Sequence, residues 1–217
     1  TVADQGHKYD HVFYDNSVVG ELAADYLLDR GHHNLGCFSF FHSHLAYKPR
    51  REQFYRWARE RGATIKMIEN SSFNPAAAPG MAEQLMNARP QPTGIFVPAD
   101  DQMLHLFNAL RTRGIEPGRD VDLIGCNNDP PYLWQMQPRP ATVDINLKTL
   151  GQRAVEQLLW RMANPQDPSR AEIFIPPTVV ESAEKVSEQK PEVGSRRSEI
   201  GSLESEMPAE EKEQSVY

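Results

Sequence analysis

Short apolar runs alternate with longer amphipathic stretches from residue 11 to residue 175, and that alternation constrains the fold more than any single motif. The runs are HVFY (11–14), LGCFSFF (35–41), TIKMI (64–68), TGIFV (93–97), VDLIGC (121–126), ATVDI (141–145) and EIFI (172–175). Their length and their β-branched and aromatic content predict strands. The stretches between them predict helices over about 17–29, 49–61, 79–88, 101–113 and 147–163. Local chemistry marks their ends. Asp15 or Asn16 can cap the first helix and Gly31 stops it; Pro49 opens the second, which ends before Gly62; Gly114 and Pro165 close the last two. Strands separated by helices of this length form βαβ units. The runs 93–97 and 121–126 are almost wholly apolar, as strands covered on both faces must be. The expected class is α/β, with a doubly wound parallel sheet.

Composition narrows the function. The chain has 217 residues, 30 acidic and 23 basic, for a net charge of −7. That balance argues against stand-alone nucleic-acid binding, which needs a basic face for phosphates. Residues 182–217 hold nine Glu against five Lys or Arg and lack apolar periodicity, so they read as a disordered acidic tail. Two cysteines, Cys37 and Cys126, cannot form a disulfide framework, which favours a reducing compartment. No apolar run approaches the roughly 20 residues of a membrane span.

In doubly wound sheets, ligands lie beyond the carboxyl ends of the strands. The segments there are HSHLAYKPRR, ENSSFNP, PADD and NNDPPY. Asp100 and Asn127 follow neighbouring strands and are candidates for ligand contact; Asp101 and Asn128 stand beside them, with helix capping and turn chemistry as the plain alternatives. Arg50 and Arg51 open a helix, where cations are disfavoured unless an anion or ligand hydroxyls compensate. Phe73, in a polar loop, is placed to stack on a sugar or base. A divalent metal or acid/base centre built on Asp100, Asp101 and Asp129 is a sharper rival. His32, His33, His42 and His44 lack the spacing of a zinc site. There is no phosphate loop, nucleophile elbow, dinucleotide fingerprint or H-E-x-x-H.

Read together, the motifs resemble a known family. DNSVVGELAADYLLDRGHHNLGCFSF, RREQFYRWARERG, PTGIFVPADDQMLHLFNALRTRGIEPGRDVDLIGCNND and PATVDINLKTLGQRAVEQLLWRM are similar, in order and spacing, to segments of the lactose/galactose-repressor regulators over about residues 10–181. The resemblance implies a periplasmic-binding-protein-like effector domain of a bacterial transcription regulator, cytoplasmic, sensing a sugar or related metabolite, dimeric in the intact regulator, with neither cofactor nor metal, and not an enzyme. It places ligand-binding roles on Arg51, Asp100, Asp101, Asn127, Asn128, Phe73 and Asp15. Asp100 stands where the family has asparagine, Asn127 where it has aspartate, and Phe54 where it has glycine. The family's DNA-binding head and first part of the N-terminal lobe are not read before Thr1, so the sequence is expected to be a C-terminal part, unable to bind operator DNA alone and with weak effector affinity. The implied division is 1–33 as remnant of the N-terminal lobe, 34–141 as the complete C-terminal effector-binding lobe, 142–171 as return helix of the N-terminal lobe, 172–181 as final strand and 182–217 as tail. Helices 17–29 and 147–163 would then each carry an apolar stripe with little cover. An extracytoplasmic solute-binding protein of the same fold is the remaining rival.

Overall fold

The computed structural model describes residues 9–40, 44–71 and 73–182. The expected acidic tail lies, from residue 183 onward, outside the described residues. A parallel sheet dominates. In chain order its strands are β2 (Asn34–Ser39), β3 (Thr64–Glu69), β4 (Gly94–Phe96), β5 (Asp122–Cys126), β6 (Ala141–Asp144) and β8 (Thr178–Val180). They lie in the order β3-β2-β4-β5-β6-β8, all parallel except β8, which runs antiparallel to β6.

Helices cover both faces. On one side α1 (Asn16–Asp29) and α2 (Tyr47–Glu60) pack on Leu35, Cys37, Phe96, Ile124, Cys126 and Val143. On the other, α3 (Ala78–Met86) and α4 (Asp100–Arg111) pack on Phe38, Phe40, Ile95, Val97 and Leu123. The two sets alternate along each strand, as side chains of period two require. Each large apolar side chain buried this way contributes about 1.5–3 kcal/mol. A short helix, α5 (Pro130–Leu133), follows β5.

The expected placement of the first helix is corrected. α1 is not an uncovered remnant of another lobe: Val19, Ala23, Ala24, Tyr26 and Leu27 are buried against the six-stranded sheet and α2. Gly20 permits this, because a Cβ there would overlap the Arg50 carbonyl and the Phe54 amide. The close helix contact thus rests on a glycine in α1, facing the bulky Phe54, whose ring lies 4.9 Å from Phe96.

A second, two-stranded sheet pairs β1 (His11–Phe13) in parallel with β7 (Glu172–Phe174), and α6 (Leu147–Ala163) lies along β1. The expected single strand at 172–181 is therefore two strands, one on each sheet. No residue of α6 is buried, and Val155, Leu158, Leu159 and Met162 are more than half exposed. Asp10 holds the ribbon to its helix. Its carboxylate accepts from Arg161 Nε (2.9 Å) and Nη2 (2.7 Å), from Gln157 Nε2 (3.1 Å) and from the Ala171 amide (3.0 Å). These bonds, those from Arg161 first, hold the Asp10 carboxyl well below the usual carboxylate range.

Three crossings join ribbon and sheet: Tyr14–Asp15 between β1 and α1, Ile145–Asn146 between β6 and α6, and 175–177 between β7 and β8. Among the described residues no helix is long and apolar enough to cross a membrane.

Candidate functional site

The carboxyl ends of β4 and β5 meet the first crossing around one side chain, Arg50. It is 2% exposed. Arg50 Nε donates to Asn16 Oδ1 (2.8 Å), Nη1 to the Pro98 carbonyl (2.6 Å) and to Asn127 Oδ1 (3.0 Å), and Nη2 to the Tyr14 hydroxyl (3.1 Å). All four acceptors are neutral, so the fork is satisfied by geometry rather than by a carboxylate partner. Tyr14 and Tyr47 place their rings 5.9 and 5.8 Å from its guanidinium carbon. Burial raises the Tyr47 phenol above its ordinary value, with Asp101 adding to the effect.

Asn127 and Asn128 carry the loop after β5. Their φ values are 110° and 54°, a region that side-chain-bearing residues rarely adopt and asparagine tolerates best. The Asn127 amide donates to the Val143 carbonyl (2.9 Å) and Asn128 Nδ2 to Asp144 Oδ2 (3.0 Å). On the far side of the strand ends, Phe73 exposes half its ring and meets Phe40 edge-on at 5.5 Å and His105 at 6.0 Å. Phe40 is itself fixed by Gln102, whose Oε1 accepts from the Phe40 amide (2.8 Å). Asp101 is partly buried in the first turn of α4, and burial pushes its carboxyl up.

Two expected ligand residues are placed elsewhere. Asp100 does not reach the surface of the strand ends. It is fully buried, and both oxygens are engaged: Oδ1 accepts from Thr142 Oγ1 (2.8 Å) and Oδ2 from the Asp129 amide (2.9 Å). Gly125 makes room for it, since a Cβ there would overlap Oδ1. Asp100 therefore supports the 127–129 loop from below, and burial pushes its pKa from 3.8 to about 7. Arg51 pairs with Glu69 at the end of the edge strand β3. With Ser17, Lys48, Gln53 and Met67 it lines a groove of about 920 Å³ along α2. Both arginines are buried, but successive residues on a helix are about 100° apart, so Arg50 turns to the strand ends and Arg51 to the β3 edge. Asp15 is exposed and caps α1, accepting from the Ser17 amide (2.7 Å).

Sequence reasoning missed Tyr14, Asn16, Asp144 and Asn146. The signal available was their position, immediately after β1 and β6. The histidines disperse: His32 bonds to Thr93 and Asp122 (both 3.0 Å), His44 stacks on Tyr47, and His42 lies outside the described residues. Among the described residues no three His, Cys, Asp or Glu side chains converge as metal ligands would.

Comparison with known proteins agrees with this architecture. The chain is 30% identical over 181 residues to the HTH-type transcriptional repressor PurR of Vibrio cholerae serotype O1, covering 78% of this chain and 52% of that protein. It spans about half the length of the curated relatives it matches. A LacI-family transcriptional regulatory protein from Corynebacterium glutamicum has 25% identity and a TM-score of 0.68 over 82% of this chain and 67% of its own. A LacI family transcriptional regulator from Enterococcus faecium, solved with bound ribose, has 21% identity and a TM-score of 0.69 over 80% of this chain and 64% of its own. The model of the periplasmic binding protein-like domain matches residues 24–182. With parallel strands, two-sided helical cover and crossings to a second sheet all in place, the chain belongs to the periplasmic binding protein-like domain family and is of the lactose/galactose-repressor effector-domain type.

Proposed function

We propose that this chain carries the effector-sensing unit of a bacterial transcription regulator of the lactose-repressor type, binding a sugar or nucleoside-class metabolite over the carboxyl ends of β4 and β5. The observation that carries the reading is that Asp101, Asn127 and Asn128 stand directly after β4 and β5, where Arg50 ties Asn127 to Tyr14 and Asn16 at the first crossing, with Phe73 exposed in the loop after β3. An exposed ring offers a stacking face, and a carboxylate and amides offer hydroxyl contacts. The ribose bound in the Enterococcus faecium regulator and the D-xylulofuranose bound in a regulator from Alkaliphilus metalliredigens support a sugar. The repressor relatives support a regulatory role, and the proposal takes the regulator to be a cytoplasmic, non-enzymatic homodimer. DNA contact is not assigned to this chain, whose net charge is −7. In such a regulator ligand would shift the relative closure of two lobes. The repressor relatives do not favour the solute-carrier rival.

The test is amide chemical-shift mapping of the 217-residue chain with ribose, xylulose, hexoses and adenosine at millimolar concentration. At least one should perturb residues 70–74, 100–101 and 127–129, and Asn127→Ala should remove the effect. If no compound perturbs those segments, or if Asn127→Ala responds like the parent, the reading fails.

A further inference from the structure

The hydrogen bonds around Arg50 do not end at the strand ends. Tyr14 and Asn16, at the first crossing, accept from Arg50, and Arg50 reaches Asn127. The next residue, Asn128, donates to Asp144 Oδ2. Asp144 Oδ1 accepts from the Asn146 amide (2.7 Å), within the second crossing. Asn146 Nδ2 donates to the Pro176 carbonyl (2.7 Å), within the third. One polar chain thus runs through all three connections between sheet and ribbon, and its middle is the loop after β5.

The backbone marks the same residues. Among the described residues, the non-glycine positions with positive φ are Asn127 (110°), Asn128 (54°) and Asn146 (53°). All three belong to this chain of bonds. Such conformations are strained and persist only where surrounding bonds over-determine them. Their partners explain the persistence: Asn127 Oδ1 accepts from Arg50, Asn128 and Asn146 donate to Asp144 and to the Pro176 carbonyl, and Asp100 supports the loop from beneath.

We infer that the Asn127–Asp129 loop sets the angle between the six-stranded sheet and the β1–β7–α6 unit, with Arg50 and Asn146 as positioning residues. On the proposed effector reading, on which this regulation rests, a ligand touching Asn127 or Asn128 competes for the bonds that fix the crossings. Occupancy at the strand ends is then felt at the ribbon, because the same amides serve both.

The experiment needs no ligand, so failure of the effector reading leaves its outcome intact. Cys37 and Cys126 are fully buried. Spin labels on Gln84→Cys in α3 and Met162→Cys in α6, both exposed, report the distance between the two units by pulsed electron resonance in the otherwise unchanged 217-residue chain. The parent should give one narrow distance distribution. Arg50→Lys, which keeps the charge and loses the fork, and Asn127→Ala should each broaden it at least twofold. Asn146→Gly removes the amide, keeps the positive φ accessible at a partly buried crossing, and should broaden it while leaving amide exchange in β2, β4 and β5 unchanged. Unchanged widths in Asn127→Ala and Asn146→Gly would overturn the inference. So would broadening that appears only together with faster exchange in the sheet strands, which marks general destabilisation.

Discussion

Replacing Asp100 by asparagine should raise the stability of this chain at pH 8 and flatten its dependence on pH. The carboxyl is fully buried between Thr142, the Asp129 amide and Met103, and that burial moves its pKa from 3.8 to about 7 despite the two hydrogen bonds it accepts. Because the folded pKa is raised, the folded chain keeps a proton that the unfolded chain releases between roughly pH 4 and pH 7. Stability from this group is intact below pH 4, falls as pH rises through that window, and stays at its lowest above it. A difference of about three pH units, at about 1.4 kcal/mol each, comes to about 4 kcal/mol. Asparagine has the same shape and no charge. Its oxygen can accept from the Asp129 amide, and its Nδ2 can donate to Thr142 Oγ1 once the hydroxyl rotates. Urea denaturation of parent and variant from pH 5 to pH 9, followed by circular dichroism, measures the effect. The variant should gain about 2–4 kcal/mol over the parent at pH 8 and about a third of that at pH 5. Equal slopes with pH, or a variant less stable than the parent at pH 8, would show that Asp100 is held ionised and that the burial argument is mistaken.

Other outcomes follow from the same geometry. Gly20→Ala should cost about 1–3 kcal/mol by forcing α1 away from the α2 backbone, read as a lower urea midpoint at unchanged slope. Asp10→Asn should speed amide exchange in α6 and β1 while sparing β4 and β5; in the parent the same protection, present above pH 4, should fade on acidification, because the Asp10 carboxyl is held low by Arg161. Phe73→Ala should leave stability within about 1 kcal/mol, since the ring is half exposed. It should weaken whichever metabolite perturbs residues 127–129 by about tenfold, the worth of one stacking contact; equal affinity in a titration would remove Phe73 from the site.

The parts of this fold that local chemistry specifies were readable. TGIFV and VDLIGC are apolar on both faces and became adjacent central strands, and Gly31, Gly62 and Gly114 end helices with positive φ. What escaped depends on contacts between distant residues. The stripe of α1 looked like a surface waiting for a missing partner, because nothing local says that Gly20 lets α2 come close. β8 is three residues long and follows two prolines, too little for a pattern of its own; it exists because β6 offers an open edge. The candidate site shows the same division. Loop positions after β4 and β5 were singled out, yet it is Arg50 and not Arg51 that reaches Asn127, and Asp100 turned beneath its loop into the space over Gly125. A step of one residue on a helix decides such matters, and only packing fixes it.

The pairing of β1 with β7 has a consequence for how the chain is made. The first strand described can find its partner only when residues 172–174 have been synthesised, and the outer edge of the main sheet stays open until residues 178–180 follow. Strands β2 to β5 and their helices need nothing so remote. On the ribosome they can assemble before residues 172–180 emerge, so the β1–β7 pairing and the β6 edge close late, and until then the open β6 edge is exposed to wrong partners.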